Sequence, residues 1–163
     1  MADLELLDFA EFMAFEARKQ ITPHFREEID IESKEDNTPV TIADKKAEEE
    51  IRKLISMNYP GHGIYGEEMG GSGLDAEYVW VIDPIDGTKS FIAGRPIFGT
   101  LIALLHNKKP ILGVIDQPIL DEVWTGYEGQ AKFRDKDGVR EIKANGCIEI
   151  GEAFFCLHKF GYV

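Results

Sequence analysis

The chain has 163 residues, of which 44% are hydrophobic, and its formal net charge is -12. This length and hydrophobic share predict one folded domain, or one lobe of a larger one, and exclude a wholly disordered chain. The acidic surplus repels phosphate backbones and anionic lipids, so nucleic acid and membrane are disfavoured as partners.

The amino terminus and the cysteines predict a soluble cytoplasmic protein. Residues 1–5 are acidic where a signal peptide would be basic, and no apolar run is long enough to span a bilayer. Cys147 and Cys156 lack the spacing of metal ligands, so we expect them to be reduced, mostly buried thiols.

Two helical patterns occupy the amino-terminal part of the chain. Over about residues 2–20, apolar residues recur every three or four positions from Leu7 onward, which predicts a helix with one buried stripe, and Pro23 is expected to end it. A second helix is expected over about 41–57, because Thr41 and Asp44 match a capping box. The charged stretch 29–37 between the helices is typical of a loop or an edge hairpin.

After Gly61 the pattern changes from helix to strand. Residues 63–66 are expected to form a short strand that leads into Glu67, Glu68 and a glycine-rich loop over 70–73. The apolar run 78–82 predicts a strand covered on both faces, which ends abruptly at the Asp-Pro dipeptide that follows.

The remaining strand patterns predict a meander. Strands are expected over 98–105, 110–116, 122–127, 130–134 and 139–143, and the last two read as a hairpin across Asp137-Gly138. Together the elements predict an α+β fold, with layered helices packed on a mainly antiparallel sheet.

The loop Asp83-Pro84-Ile85-Asp86-Gly87-Thr88 carries the residues best suited to chemistry. Two carboxylates this close repel each other, and a bound cation is the natural way to keep both ionised. Gly87 would let the backbone approach a ligand, and a short helix opening at Thr88 would offer N–H groups to a phosphate. The alternative interpretation is an ordinary turn in which an aspartate caps a helix.

Three further acids extend this candidate site. Glu67 or Glu68 could complete a magnesium site with the two aspartates, although alone both would be interpreted as solvated surface residues. Asp44 lies on the apolar stripe of the second helix, where an acid should be paired. Capping of that helix together with Thr41 explains Asp44 equally well.

The sequence resembles the inositol monophosphatase superfamily, whose signature is an apolar strand followed by Asp-Pro-Ile/Leu-Asp-Gly-Thr. Here that signature spans residues 80–88, and two supporting motifs precede it in the expected order, at 34–44 and at Gly66-Glu67-Glu68. Residues 92–104 and 113–118 look most like the bacterial histidinol-phosphatase branch. The resemblance covers nearly the whole chain and fades after about Ile142.

The resemblance implies magnesium-dependent hydrolysis of a small phosphomonoester by metal-activated water, with histidinol phosphate favoured over inositol monophosphate. It implies that Thr88, hydrogen-bonded to Asp44, orients or activates the attacking water, and that the amides of Gly87 and Thr88 hold phosphate oxygens. Glu68 is a possible supporting residue. The implied Mg²⁺ ligands are Glu67, Asp83, the backbone carbonyl of Ile85, and Asp86.

The sequence also departs from the family. Family members are longer, and their second half carries a Trp-Asp motif that is not found here, while residues 154–163 do not look like the family's continuation. Residues 1–163 are therefore expected to form a single amino-terminal α+β lobe without the carboxyl-terminal α/β half. Apolar sheet surface left exposed in this way favours self-association, with a homodimer as the expected state.

Two other functions compete with this interpretation. A phosphatase of the haloacid dehalogenase type also places a strand-end Asp near a second Asp and a Thr, but with one residue between the acids, whereas Pro84 and Ile85 intervene here. That type also needs a parallel sheet with alternating helices. The second alternative is an inactive relative that keeps the fold and binds magnesium or a partner without turnover.

Overall fold

Helices α1 (Ala2–Ile21) and α2 (Ile42–Asn58) pack on one face of a mixed sheet. The computed structural model describes residues 2–28, 30–33, 39–144, 146, 149 and 151. The expected α+β class, with helices layered on a mainly antiparallel sheet, is confirmed. Residues 34–38, both cysteines and residues 154–163 lie outside the described part, so the expectations for them stay predictions.

Helix α1 is amphipathic, and small side chains make up half of its buried stripe. Leu6, Ala10, Met13, Ala14, Ala17 and Ile21 are buried, whereas Leu7, which the sequence placed on the stripe, is only half-buried. The alanines bring the helix close to α2, with which it makes its largest contact. A short 3-10 turn, Thr22–His24, contains Pro23 and ends the helix as expected.

A buried ion pair ties α1 to the sheet. The Arg18 guanidinium donates to both carboxylate oxygens of Asp116, at 2.6 to 2.9 Å, and to Asp121 at 2.5 Å. Burial lowers the pKa of Arg18, but its hydrogen bonds to the aspartates outweigh this effect and leave the pKa raised. Burial raises the pKa of Asp116, and Arg18 offsets only part of that rise. The carboxylate, as the more buried partner, therefore carries the desolvation cost of the pair.

Helix α2 begins with the capping box expected from the sequence, between Thr41 and Asp44. Its buried face includes Ala47, Ile51 and Ile55. Two acids, Asp44 and Glu48, lie fully buried on the same face. Before α2, strands β1 (Ile31–Ser33) and β2 (Pro39–Thr41) pair antiparallel, as expected for an edge hairpin.

The described residues form a second sheet, of eight strands, with the order β10-β9-β8-β7-β6-β5-β3-β4. Strand β3 pairs with β5 in parallel, and the other neighbours pair antiparallel. Helix α3 (Thr88–Ile92) follows β5 and was expected from the sequence. The strands are β3 (Gly63–Gly66), β4 (Gly70–Ser72), β5 (Tyr78–Asp86), β6 (Gly99–His106), β7 (Lys109–Gln117), β8 (Glu122–Tyr127), β9 (Gln130–Asp135) and β10 (Gly138–Ile142).

Two expectations about strand limits were wrong. The glycine-rich loop over 70–73 contains strand β4, which pairs with β3 through its main chain. Strand β5 does not end at Asp83-Pro84 but continues to Asp86, which pairs with Gly99 after a register shift. Pro84 is tolerated because a bulge leaves residues out of the hydrogen-bond ladder.

The two faces of the large sheet differ. The face toward α1 and α2 is buried around Trp80, Ile102 and Val114. On the opposite face, an apolar groove of about 560 Å³ runs from Asp83 past Leu101 and Ile115 to Trp124 and Ile142. Strand β5 is thus not covered on both faces by the described residues, contrary to expectation. None of the described helices has the length and apolar composition to cross a membrane.

Candidate metal centre

Parallel pairing of β3 and β5 brings the two acidic motifs together. Gly66 lies opposite Ile82, and the Glu67 amide donates to the Ile82 carbonyl at 3.1 Å. Glu67 and Asp83 are therefore the residues that follow this last parallel pair, Gly66 and Ile82. The neighbours Glu68 and Asp86 lie within the same acidic group, since both raise the pKa of Asp83.

The pKa of Asp83 is strongly raised. Burial, a hydrogen bond with Glu67, and the charges of Glu67, Asp86 and Glu68 raise the pKa of Asp83 to about 8, from the ordinary 3.8. Its Oδ1 atom is buried and has no hydrogen-bond partner among the described residues. An unpartnered buried carboxylate oxygen beside three other acids is costly unless a proton or a cation neutralises the group.

These residues fit a divalent cation. Hard cations take oxygen ligands, and Mg²⁺ binds through a few carboxylates while keeping several waters. Within the described ranges, no three Asp, Glu, His or Cys side chains stand in the arrangement of a metal site. Instead, the Asp83 and Glu67 carboxyls share a hydrogen bond, which is the alternative to sharing a cation.

The loop 83–88 is held by hydrogen bonds to its carbonyls. The buried Thr100 hydroxyl donates to the Pro84 carbonyl at 2.8 Å, and the Thr88 hydroxyl donates to the Ile85 carbonyl at 3.1 Å. The Ile85 side chain is buried and anchors the middle of the loop. A carbonyl oxygen has two lone pairs, so this contact leaves the Ile85 oxygen able to bind a second group.

Gly87 turns the chain from β5 into α3. Its φ is 92°, in the left-handed region that disfavours other residues. A Cβ at this position would lie 3.4 Å from the Ile97 carbonyl oxygen and from the Phe98 Cβ atom. The turn itself therefore requires glycine at position 87, and the expected approach of the backbone to a ligand stays a prediction.

Asp44 caps α2 and also lies near Thr88. It is fully buried, and its Oδ2 accepts from the Thr41 amide at 2.8 Å and from the Thr41 hydroxyl at 2.5 Å. Its Oδ1 lies 3.5 Å from the Thr88 hydroxyl, at the outer limit of a hydrogen bond. One carboxylate oxygen therefore caps α2, while the other faces the candidate site.

Sequence reasoning missed Glu48, which lies one turn after Asp44 on the same helix face. Its carboxylate accepts from the backbone amides of Glu68 and Met69, at 2.8 and 3.1 Å. The spacing of four residues from Asp44 was a usable signal, because residues that far apart share one face of a helix. Of the other predicted site residues, Glu67 and Asp86 are exposed and Glu68 is half-buried.

Comparison with known proteins agrees with these motifs. The model of the Inositol monophosphatase family matches residues 3–159. The chain is 48% identical to the bifunctional phosphatase IMPL2 of Arabidopsis thaliana over 94% of its own length and 45% of the relative's. It is 43% identical to a histidinol-phosphatase of Mycobacterium tuberculosis, over 68% of this chain and 42% of that protein.

Solved structures show the same fold. An inositol monophosphatase from Zymomonas mobilis superposes with a TM-score of 0.74 at 39% identity, over 90% of this chain and 55% of that one. The chain thus spans about half the length of the relatives that it matches. The family model covers nearly all of it, and this chain therefore belongs to the inositol monophosphatase family.

Proposed function

We propose that this chain supplies the metal centre of a Mg²⁺-dependent phosphomonoesterase that acts on a small phosphorylated metabolite, with histidinol phosphate ahead of inositol monophosphate. The observation that carries the proposal is the group of acids at the ends of β3 and β5, where half-buried Asp83 has a raised pKa and a buried, unpartnered Oδ1 atom. Relatives named histidinol-phosphatase and inositol-1-monophosphatase support the substrate class.

The proposed ligands of the cation are Glu67, Asp83, Asp86 and the Ile85 carbonyl. Divalent metal ions are general in this family, and the hard oxygen donors favour Mg²⁺ among them. When bound, Mg²⁺ supplies charge neutralisation at the phosphoryl oxygens and lowers the pKa of a water molecule. Glu68 is the proposed supporting residue, because its charge adds to the negative potential at Asp83.

The protein's own residues would position water and phosphate. The Thr88 hydroxyl can accept a proton from the attacking water while donating its own toward Asp44 Oδ1, which lies 3.5 Å away. Asp44 suits this task because Thr41 already holds its other oxygen in place. The amides of Gly87 and Thr88 would bind phosphate oxygens. Attack by water at phosphorus breaks the phosphorus–oxygen ester bond and releases the alcohol and inorganic phosphate.

The test is phosphate release by the purified chain from histidinol phosphate and from inositol 1-phosphate, with and without Mg²⁺. We expect release only with Mg²⁺, and we expect Asp86→Asn to abolish it. Asp75→Asn, at an exposed turn between β4 and β5, is the matched control and should leave the rate unchanged. Trapping of a covalent aspartyl-phosphate would contradict the proposal and favour the haloacid dehalogenase type.

A second candidate is a metal-binding protein without turnover. The observation that favours it is that the chain matches only about half of each relative. If catalysis in those proteins needs groups from the other half, residues 1–163 alone would bind the metal without turnover. Mg²⁺ binding without hydrolysis over a broad panel of phosphomonoesters would support this candidate. The homodimer and the cytoplasmic location expected from the sequence stay predictions, and light scattering tests the first of them.

A further inference from the structure

We infer that Glu48 is a positioning residue, which holds the backbone of the turn at 67–69 so that the Glu67 carboxylate is directed at Asp83. This inference rests on the proposed function, because it assigns Glu67 to the metal centre. Glu48 acts through main-chain atoms, the amides of Glu68 and Met69. It would not be a catalytic residue.

The contacts of Glu48 use both of its carboxylate oxygens. Oε2 accepts from the Glu68 amide at 2.8 Å, and Oε1 accepts from the Met69 amide at 3.1 Å. The side chain is fully buried, so no water competes for these bonds. Hydrogen bonds to an ionised acceptor are about twice as strong as neutral ones. The turn that follows Glu67 is therefore anchored to α2 at two consecutive peptide groups.

Arg52 and Gly66 complete this anchor. The Arg52 Nε atom donates to Glu48 Oε1 at 2.8 Å, and its guanidinium also donates to the Gly70 carbonyl. The positive charge of Arg52 thus compensates the buried Glu48 carboxylate, and the Gly70 end of the turn is also hydrogen-bonded to α2. A Cβ at Gly66 would lie 2.0 Å from Glu48 Oε1, so the carboxylate reaches the turn only because residue 66 is glycine.

The anchor matters for function because the acids of the site repel one another. Glu67 is exposed, and its carboxyl shares a hydrogen bond with that of Asp83. A freely moving turn would let Glu67 swing into solvent and away from the other carboxylates. A short hairpin between β3 and β4 needs no buried carboxylate for its own pairing. The free-energy cost of burying the Glu48 carboxylate is therefore explained by the need to hold Glu67, which lies in this turn.

The test compares Glu48→Gln with Glu49→Gln, which removes the same charge from an exposed position on the same helix. Mg²⁺ affinity is measured by titration calorimetry on the full chain, and the Glu68 and Met69 amides are followed in proton–nitrogen correlation spectra. We expect Glu48→Gln to weaken Mg²⁺ binding by about tenfold or more, as outer-shell changes at metal sites do. Both amide signals should shift and exchange faster, while Glu49→Gln behaves as wild type.

Gly66→Ala serves as a second variant, because it displaces the carboxylate while keeping Glu48. It should weaken Mg²⁺ binding and shift the same two amides, and it keeps the inference testable if Glu48→Gln does not fold. Unchanged Mg²⁺ affinity in a folded variant whose amides have shifted would overturn the inference. If the wild-type chain binds no Mg²⁺, the proposed function fails. In that case the anchor is tested without Mg²⁺: amide signals of residues 67–69 that are the same in Glu48→Gln as in wild type would show that Glu48 does not hold this turn.

Discussion

Replacement of Asp83 by asparagine should make the metal-free protein more stable at alkaline pH. In the folded chain the pKa of Asp83 is about 8, against an ordinary value of 3.8. Between these values the folded state holds a proton that the unfolded state has released, so wild-type stability falls as pH rises through that window. Asp83→Asn carries no such proton, and its stability should lack this part of the slope.

The size of the effect follows from the same pKa. Each unit of pKa difference corresponds to about 1.4 kcal/mol, which sets a ceiling of about 6 kcal/mol. The turn carrying Glu67 is exposed and can direct its carboxylate to water, which relieves much of the repulsion. We therefore expect the free energy of unfolding of Asp83→Asn, relative to wild type, to rise by about 2 kcal/mol from about pH 4 to about pH 8.

The assay is urea denaturation of both proteins at several pH values in the presence of a chelator. The difference between the two proteins reports the titration of Asp83 together with its coupling to Glu67, Asp86 and Glu68, because the other titrating groups behave alike in both. Added Mg²⁺ at about 100 times its dissociation constant should stabilise wild type by about 2.7 kcal/mol and leave Asp83→Asn unchanged. Parallel pH profiles for the two proteins would refute the reasoning, since they would mean that Asp83 titrates alike in the folded and unfolded chain.

Three further predictions concern the scaffold, and denaturant unfolding measures each. Gly87→Ala should lower the free energy of unfolding by about 1–2 kcal/mol, because the φ of 92° at this position strains any residue other than glycine. Its control, Gly61→Ala, places the new methyl group in open space and should lower the free energy of unfolding by less than about 1 kcal/mol. Arg18→Met should lower the free energy of unfolding by about 3 kcal/mol, because it leaves a buried carboxylate unpaired. Its control, Lys53→Met, removes one partner of an exposed ion pair and should lower the free energy of unfolding by less than about 1 kcal/mol. Thr100→Val should cost about 1–2 kcal/mol, because a buried loop carbonyl loses its donor. Equal losses in test and control variants, or no loss for Thr100→Val, would contradict these assignments.

Local patterns predicted the elements whose structure depends on nearby residues. The capping box at Thr41 and Asp44 predicted the start of α2, and the strand patterns over 98–143 predicted the meander. The acidic loop was recognisable as a candidate site, because two carboxylates so close together repel each other unless a proton or a cation neutralises them. The sequence predicted less accurately which residues of α1 face the core. Leu6 rather than Leu7 is buried, and the two residues lie at opposite borders of the apolar stripe.

The features that the sequence did not reveal depend on distant partners. Strand β4 is Gly-Gly-Ser, which has no intrinsic preference for a strand, and it forms through main-chain bonds to β3. Strand β5 passes through Pro84 because Asp86 regains a partner at Gly99. Glu48 resembles any helical glutamate until the turn at 67–69 is folded over it.

The parallel pairing of β3 and β5 has a consequence for the order of folding. The same ladder that joins these strands also forces Glu67 and Asp83 together, so their repulsion opposes one defined step of assembly. If that ladder forms before the rate-limiting step, neutralising the acids with Mg²⁺ will accelerate folding. If it forms afterwards, Mg²⁺ will slow unfolding alone. Folding and unfolding rates measured against Mg²⁺ concentration would therefore reveal when this part of the sheet is assembled.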